Sequence, residues 1–244
     1  ESMRLAFADS LQYVADPSRN YVPVKELISK NYSKKRSELI NPHFRLNEVN
    51  FGNPLKYSDT VYISVIDGAG NACSLINSLY ESFGSGLLVP GTGIILQNRG
   101  VLFSLDEQHP NYLIPGKRPY HTIIPAIATK KEDLWLSFGV MGGFQQPQGH
   151  LQVVMNMVDF GLNPQQSLDA SRFRVDLDSD SVWLEDDVPE NIREELKSLG
   201  HNIKVMSGHQ RVQFGGGQII EKNTDSGILV GGSDSRKDGC AIGY

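Results

Sequence analysis

The chain has 244 residues, of which 39% are hydrophobic and 21% are charged, and its formal net charge is −5. The length supports a sizeable core, and the mild acidity argues against a nucleic-acid or anionic-membrane surface as the main partner. No apolar run reaches the roughly 18 residues that span a bilayer, and two cysteines cannot make a disulfide framework.

The first stretch of the chain predicts a helix, because apolar residues recur at helical spacing over residues 1–14. This stretch has no preceding capping residue and no initiator methionine, so we expect it to be the tail of a longer precursor. Residues 22–37 predict a proline-bounded turn that leads into a short helix. Residues 40–58 have weak periodicity and several Pro, Gly and Asn residues, which is typical of a surface loop.

A β-hairpin is predicted from Thr60 onward. Residues 60–66 have the β-branched and aromatic content of a strand, and residues 67–71 form a strong turn signal. Residues 72–78 then indicate the returning strand. A second pair of strands is predicted at 123–129 and 134–140.

The last third of the chain predicts three helices and several strands. The helices are predicted at 148–160, from the Asn163-Pro164 cap to about 171, and at 189–199. The strands are predicted at 182–185, 203–206, 217–221 and 228–231. Strands, then helices, then strands again indicate a layered α+β domain.

The sequence predicts no metal site and no cofactor. The six histidines lie far apart and show no zinc-ligand spacing. Asp176, Asp178 and Asp180 alternate as in a calcium loop, but the later positions of that loop lack its glycine and its glutamate, so a solvated turn is favoured. No Walker A pattern and no GxSxG elbow occurs, and the glycines at 215–217 indicate backbone punctuation.

One ordered series of motifs follows Thr60. It comprises DGAGN at 67–71, Ser78, FGSG at 83–86, GTGIILQN at 91–98, KRP at 117–119, MGG at 141–143 and GSDSRKDGCAIGY at 232–244. This series resembles the small subunit of the γ-glutamyltransferase (γ-glutamyltranspeptidase) family, and residues 1–9 are similar to the last part of that family's large subunit. The resemblance covers essentially all 244 residues and corresponds to the C-terminal half of a family precursor.

The resemblance implies the fold and the division of the chain. Members of the family are N-terminal-nucleophile hydrolases with a four-layer αββα core, of which this chain would be the C-terminal half. Family precursors cleave themselves before a threonine, which implies scission of the Asp59–Thr60 bond. Residues 1–59 would then be the tail of the large subunit, and residues 60–244 the small catalytic subunit.

The resemblance also implies a catalytic set that suits this chemistry. Thr60 would supply the nucleophilic hydroxyl and, once its α-amine is free, a general base whose reference pKa is about 7.7–8.0. Ser78 aligns with a hydroxyl residue that hydrogen-bonds the nucleophile. Gly142 and Gly143 match the paired glycines whose backbone N–H groups form the oxyanion hole. No Ser/His/Asp set is needed for such a site.

The residues that recognise glutamate in the family are altered here. Its acidic residue for the α-amino group falls at Leu102, which cannot accept a charge-assisted hydrogen bond. Its paired serines are His121 and Thr122, and the asparagine near its nucleophile is Tyr80. Arg99 is a candidate replacement group for binding an anion, or else a surface residue. This pattern resembles the branch that includes cephalosporin and glutaryl acylases.

The leading hypothesis is therefore a self-cleaving γ-glutamyltransferase-like enzyme that passes an acyl group from glutathione or a related amide to water or an amine. The expected partners are a small-molecule or peptide amide and the remaining large-subunit segment, with no nucleic acid. An N-acyl amide hydrolase is the alternative within the enzymes. A relic of the fold that stays uncleaved is the alternative outside them.

Overall fold

The computed structural model describes residues 1–47, 49, 59–177 and 179–244. The described residues fall into two compact units, each taken by itself below. The first comprises those within Glu1–Lys56, Arg99–His121 and Val175–Val205. The second comprises those within Tyr57–Asn98, Thr122–Arg174 and Met206–Tyr244.

Helices and strands occur mostly in separate runs along the chain, as in an α+β protein. The helices are α1 (Ser2–Tyr13), α2 (Val24–Leu27), α3 (Lys30–Ser37), α4 (Gln145–Val158), α5 (Pro164–Asp169) and α6 (Glu190–Ser198), with 3-10 turns at Arg99–Leu102 and Gly208–Phe214. The strands are β1 (Asp59–Ile66), β2 (Ala72–Tyr80), β3 (Ala126–Lys130), β4 (Asp133–Met141), β5 (Phe173–Asp176), β6 (Ser181–Glu185), β7 (Ile203–Met206), β8 (Gly216–Lys222) and β9 (Leu229–Ser233). None of the described helices is long and apolar enough to cross a membrane.

The second unit stacks two antiparallel sheets. The β1–β2 hairpin lies against a four-stranded sheet of order β3-β4-β8-β9. Tyr62 of β1 is buried where the two sheets meet, over Gly139, a position at which any side chain would collide with its ring. Ser64 Oγ lies 2.6 Å from Ser137 Oγ and links β1 to β4. The inward face of the hairpin therefore holds it in a fixed place on the larger sheet.

Helices α4 and α5 cover the four-stranded sheet and complete a ββα arrangement within the second unit. Its apolar core joins β4, β8 and both helices, and its most completely buried members are Leu136, Val140, Val153, Leu168 and Ile219. Helix α5 begins with a capping box, in which the side chain of Asn163 accepts a hydrogen bond from Gln166 N and the side chain of Gln166 accepts one from Asn163 N. Close packing of this kind makes the loop between β4 and α4 a rigid connection.

The first unit is built on α1. One face of this helix is buried through Met3, Leu5, Phe7 and Ala8. Just beyond its end, Asp16 accepts hydrogen bonds from the backbone N–H and the guanidinium of Arg118, at 3.0 and 2.8 Å. This contact fixes the chain that follows the first 3-10 turn to the end of α1.

Most of the predicted elements are confirmed. The hairpin from Thr60, the strand pair at 123–140 and the later helices and strands all form. Helix α4 begins at Gln145, three residues before the predicted start, because Pro147 lies in its first turn, where a missing N–H costs nothing. Strand β5 was not predicted. Of the three alternating aspartates, Asp178 lies outside the described residues, and Asp180 forms ion pairs with Arg4 and Arg45.

A partly buried histidine makes the second unit sensitive to acid. His150 Nε2 accepts a hydrogen bond of 3.0 Å from Val140 N, which requires the neutral ring. Burial, with the nearby charge of Arg172, lowers the pKa of His150 to about 4 from its usual 6.5. Above pH 6.5 the folded and unfolded states are both neutral, whereas below it the unfolded state takes up the proton first. Stability is therefore lost as the pH falls from about 6.5 to about 4.

We expect this single group to lower the free energy of unfolding by about 3 kcal/mol between pH 7 and pH 4. Urea titrations at several pH values measure this quantity. His150→Gln keeps an acceptor for Val140 N but cannot be protonated, so its stability should depend less on pH by that amount. Equal pH dependence in the two proteins would contradict the assignment.

Candidate active site

Thr60 and Ser78 face each other at the start of the hairpin. They are cross-strand partners in β1 and β2, and Thr60 Oγ1 lies 2.9 Å from Ser78 Oγ. Thr60 is only 6% exposed. A hydroxyl that is nearly buried and hydrogen-bonded to a second hydroxyl is held in one rotamer, as a nucleophile must be.

A local irregularity of the hairpin orients Ser78. Asp59 pairs with Tyr80 while Thr60 pairs with Ser78, so β2 carries one extra residue opposite the Asp59–Thr60 bond. Tyr80 has a φ of 79°, in the left-handed region that is rare for an aromatic residue, and its N–H donates to Ser78 Oγ at 3.0 Å. Bulges of this kind re-aim side chains next to functional sites.

Gly142 and Gly143 form the tight loop between β4 and α4. Their φ angles are 133° and 57°, and their carbonyls accept hydrogen bonds of 3.0 Å from Gln145 N and Gln146 N respectively. Within the described residues, neither of the two glycines donates a backbone hydrogen bond. The loop therefore keeps two backbone donors available at the end of β4.

A third glycine supports this loop from the neighbouring strand. Gly215 has a φ of 79°, and a Cβ there would lie 2.1 Å from the carbonyl oxygen of Met141. In turn, a Cβ on Gly142 would lie 3.1 Å from Gly215 Cα. The interpretation of residues 215–217 as mere punctuation is therefore incomplete. Three successive glycines directly before a predicted strand are the signal that could have indicated a close backbone approach.

Thr60 opens onto a cavity of about 1170 Å³ within the second unit. One wall is the edge of β1, a second includes Met141, and a third is the segment 237–244, whose members include Lys237, Asp238 and Cys240. Met141 directly precedes Gly142, so the cavity that contains Thr60 also reaches the start of the glycine loop. This cavity is large enough for a small amide or peptide substrate.

The candidate recognition residues divide between the two units. Arg99 and His121 belong to the first unit, and Tyr80 and Thr122 to the second. Tyr80 and Thr122 are each 2% exposed, and Arg99 is buried as well. Partial burial of His121, together with the charges of Arg99 and Arg118, lowers the pKa of its imidazole. The positive potential at His121 suits an anionic group.

Leu102 ends the first 3-10 turn, three residues after Arg99. Its carbonyl accepts a hydrogen bond of 2.7 Å from the buried side chain of Asn111. The turn is thus fixed within the first unit, and the side chain at its end is apolar. Among the described residues, no cluster of three or more His, Cys, Asp or Glu side chains is arranged to hold a metal ion.

The chain is similar in sequence to a family of known proteins. A family model described as gamma-glutamyltranspeptidase matches residues 1–244. The chain is 35% identical over 247 residues to the glutathione hydrolase-like YwrD proenzyme of Bacillus subtilis, covering 100% of this chain and 46% of that protein. It is 33% identical to the oxamate amidohydrolase proenzyme of Klebsiella pneumoniae, again covering 46% of the relative.

A solved structure is similar to the whole of this chain and is likewise about twice as long. The crystal structure of cephalosporin acylase from Bacillus halodurans superposes with a TM-score of 0.89 at 46% identity, covering 99% of this chain and 44% of that one. The chain therefore spans about half the length of the relatives it matches.

Proposed function

The chain belongs to the gamma-glutamyltranspeptidase family, and on that premise we propose that it is the catalytic half of a self-processing amidase and acyltransferase with Thr60 as nucleophile. The observation that carries the proposal is the 2.9 Å contact between Thr60 Oγ1 and Ser78 Oγ at the floor of a large cavity. A threonine that merely started a strand would need neither a second hydroxyl at this distance nor access to a cavity.

Maturation would use the hydroxyl of Thr60 within its own chain. Oγ1 attacks the carbonyl carbon of Asp59, the C–N bond between the two residues breaks, and the acyl group passes to oxygen as an ester. Water then hydrolyses the ester, which leaves the carboxyl on Asp59 and a free α-amine on Thr60. The bulge opposite this bond supports the assignment, because it interrupts the regular ladder at the bond to be broken.

Turnover would repeat the attack on an external amide. The α-amine of Thr60 takes the hydroxyl proton while Oγ1 adds to the substrate carbonyl, and the same proton goes to the leaving amine. The resulting acyl ester is released to water or to an acceptor amine. Ser78, fixed by the N–H of Tyr80, would hold the hydroxyl in place.

The glycine loop would stabilise the charged intermediates. Gly142 and Gly143 turn their carbonyls toward α4, which leaves their N–H groups as donors for an oxyanion at the end of β4. Removing one donor of an oxyanion hole typically lowers the rate by about 10²–10³-fold. The shape of the loop is set by β4, α4 and Gly215 together, so these donors would be rigid before substrate binds.

The acyl donor would differ from glutathione at its amino end. Leu102 offers no negative charge for an α-amino group, while the arginines Arg99 and Arg118 place positive charge near His121 in the same unit. These residues favour the second candidate, an N-acyl amide hydrolase, and so does the 46% identity to a cephalosporin acylase. We propose Tyr80, Arg99, His121 and Thr122 as the residues that contact the donor.

The intact mass of the purified precursor tests the proposal. A competent enzyme yields two polypeptides, the smaller beginning at Thr60, and then hydrolyses at least one of three amides, namely γ-glutamyl, glutaryl or oxamate. A chain that stays uncleaved and turns over none of them is a binding relic of the fold, and the proposal is then wrong.

The chain also presents an apolar surface that we propose is covered by the rest of the precursor. The outer face of β1 exposes Val61 by 60%, Ile63 by 49% and Val65 by 45%. The first unit has its own largely apolar cavity of about 660 Å³ between α1, α2 and α3. Apolar patches of this kind are normally buried against a partner. We propose that the remaining large-subunit segment is that partner, since the relatives are about twice as long.

We therefore expect the 244-residue chain on its own to associate at micromolar concentration, and co-expression with its upstream segment to restore a discrete species. Light scattering after gel filtration measures both. A monodisperse monomer that unfolds cooperatively without the segment would contradict the proposal. Ile63→Lys should reduce association of the lone chain, since it places a charge at the centre of the exposed face.

A further inference from the structure

A buried ionic cluster lies in the second unit, apart from Thr60 and the glycine loop. It consists of Arg172, Asp234 and Arg236, whose side chains are 2%, 0% and 2% exposed. Arg172 Nη2 lies 2.6 Å from Asp234 Oδ2, and Arg236 Nη1 lies 3.2 Å from Asp234 Oδ1. Two guanidinium groups thus share one carboxylate, an arrangement that is costly to bury unless every group is hydrogen-bonded.

The cluster is tied to three parts of the fold by backbone hydrogen bonds. Asp234 Oδ2 accepts from Gly217 N at 3.0 Å, at the start of β8. Arg172 donates to Phe214 O at 3.1 Å, directly before Gly215. Both arginines donate to Leu168 O at the end of α5. The cluster therefore joins β8, the end of α5 and the chain that follows β9.

The chain after β9 is the segment that walls the Thr60 cavity. Arg236 donates to Ala170 O at 2.9 Å, and the segment 237–244 starts at the next residue. A Cβ on Gly216 would lie 2.5 Å from Lys237 Cγ, so the stem of Lys237 rests on that glycine. Beyond Lys237 the segment is exposed and forms neither helix nor strand. Further along, a Cβ on Gly239 would lie 2.5 Å from Gln218 Nε2, so the segment also rests on β8, and the anchor at Arg236 fixes the point from which it starts.

We propose that Arg172, Asp234 and Arg236 form a positioning unit for the reaction, which fixes the segment 237–244 as a wall of the cavity and thereby sets how tightly the acyl donor binds. The inference rests on the proposed role of Thr60. Arg236 is the member that acts on the segment directly. Its hydrogen bonds to Leu168 O, Asp234 Oδ1 and Ala170 O lie at the base of the segment, so we expect its loss to act on donor binding and to leave the bond-making groups in place.

The test compares Arg236→Gln with Arg236→Lys in the full precursor. In Arg236→Gln the pair of Arg172 and Asp234 stays neutral as a whole, so no uncompensated charge is created. We expect the KM for the amide donor to rise about tenfold while kcat stays within about threefold, because ground-state and transition-state binding weaken together. Arg236→Lys keeps the charge and should recover part of the KM, and it carries the test if the glutamine variant does not fold.

The matched control is Arg174→Gln. Arg174 also donates from its guanidinium to a backbone carbonyl, that of Gln213 at 3.0 Å, which lies in the second 3-10 turn and outside the segment 237–244. Its KM should stay at the wild-type value. An equal rise in both glutamine variants would show a general structural effect and would overturn the inference, as would an unchanged KM in Arg236→Gln.

A spin label on the segment 237–244 measures the mobility of this segment and does not require an active enzyme. Within residues 1–244, Cys73 and Cys240 are both exposed free thiols, so Cys73→Ser in this 244-residue chain leaves Cys240, inside the segment, as its labelled position. Arg236→Gln should increase the mobility of this label, whereas Arg174→Gln should not. Unchanged mobility overturns the inference whatever the kinetics show. If the wild-type precursor turns over no amide, the proposed function fails, and the label still decides whether the cluster holds the wall.

Discussion

Thr60→Ala is expected to leave the precursor as a single polypeptide and to lower amide turnover by at least about 10³-fold. The substitution removes the only atom proposed to form the acyl ester, and loss of a nucleophile typically costs this much or more. The fold should survive, because Thr60 forms one of the eight pairs of the hairpin, and the other seven pairs and the inward contacts do not involve its hydroxyl. Intact mass and the rate of donor hydrolysis measure the two effects.

Two further variants separate the role of the hydroxyl from that of the local structure. Thr60→Ser keeps an oxygen at the same position, so self-cleavage should persist at a reduced rate. Ser78→Ala removes the partner at 2.9 Å and should slow both reactions while abolishing neither. Cleavage of the alanine variant at the same bond would show that the chain is cut by another protease and that Thr60 is not the nucleophile.

Gly215→Ala is expected to lower activity by about 100-fold and to destabilise the protein by about 2–4 kcal/mol. Two costs combine at this residue. Its φ of 79° is unfavourable for alanine, and the new Cβ would lie 2.1 Å from Met141 O, which is far inside van der Waals contact. Relief requires β4 to move away just where it leads into Gly142, so the loss in rate should exceed what the loss in stability explains.

Gly86→Ala is the matched control. Gly86 has a φ of 72° in the same unit, but a Cβ there meets no atom within 4 Å. It therefore carries the conformational cost without the collision and should lose stability while keeping its rate. The comparison uses urea titrations for stability and kcat at saturating donor for rate. Equal losses of rate in the two variants would show that the glycine loop does not depend on Gly215.

The sequence predicted the local parts of the site better than its distant supports. The hairpin from Thr60 could be predicted because turn residues and β-branched residues act over a few positions. The contact of Thr60 with Ser78 was implied only by the family resemblance, and the register of the hairpin is what brings the two hydroxyls together. The support of Gly142 by Gly215 could not be derived in this way, because it joins positions over 70 residues apart in a packed sheet.

The buried ionic cluster could not be predicted from the sequence for the same reason. Arg172, Asp234 and Arg236 look like ordinary surface residues of a charged chain when they are taken one by one, since such residues are rarely buried. Their pairing arises only when the end of α5 and the end of β9 meet over the sheet. Strand β5 was missed for a related reason, because it has four residues and depends on β6 for its pairing.

The position of Thr60 near the start of the hairpin, one pair after Asp59, would have a consequence for the kinetics of the proposed maturation. In the proposed reaction the attacking oxygen and the bond to be broken belong to adjacent residues of one strand, so the cut would be first order in protein and its half-time would not change on dilution. Mature molecules would not speed the conversion of the remaining ones. Because β1 is paired with β2 from Thr60 onward, the new chain terminus would be held where it is made, and the cut would need no refolding before the first turnover.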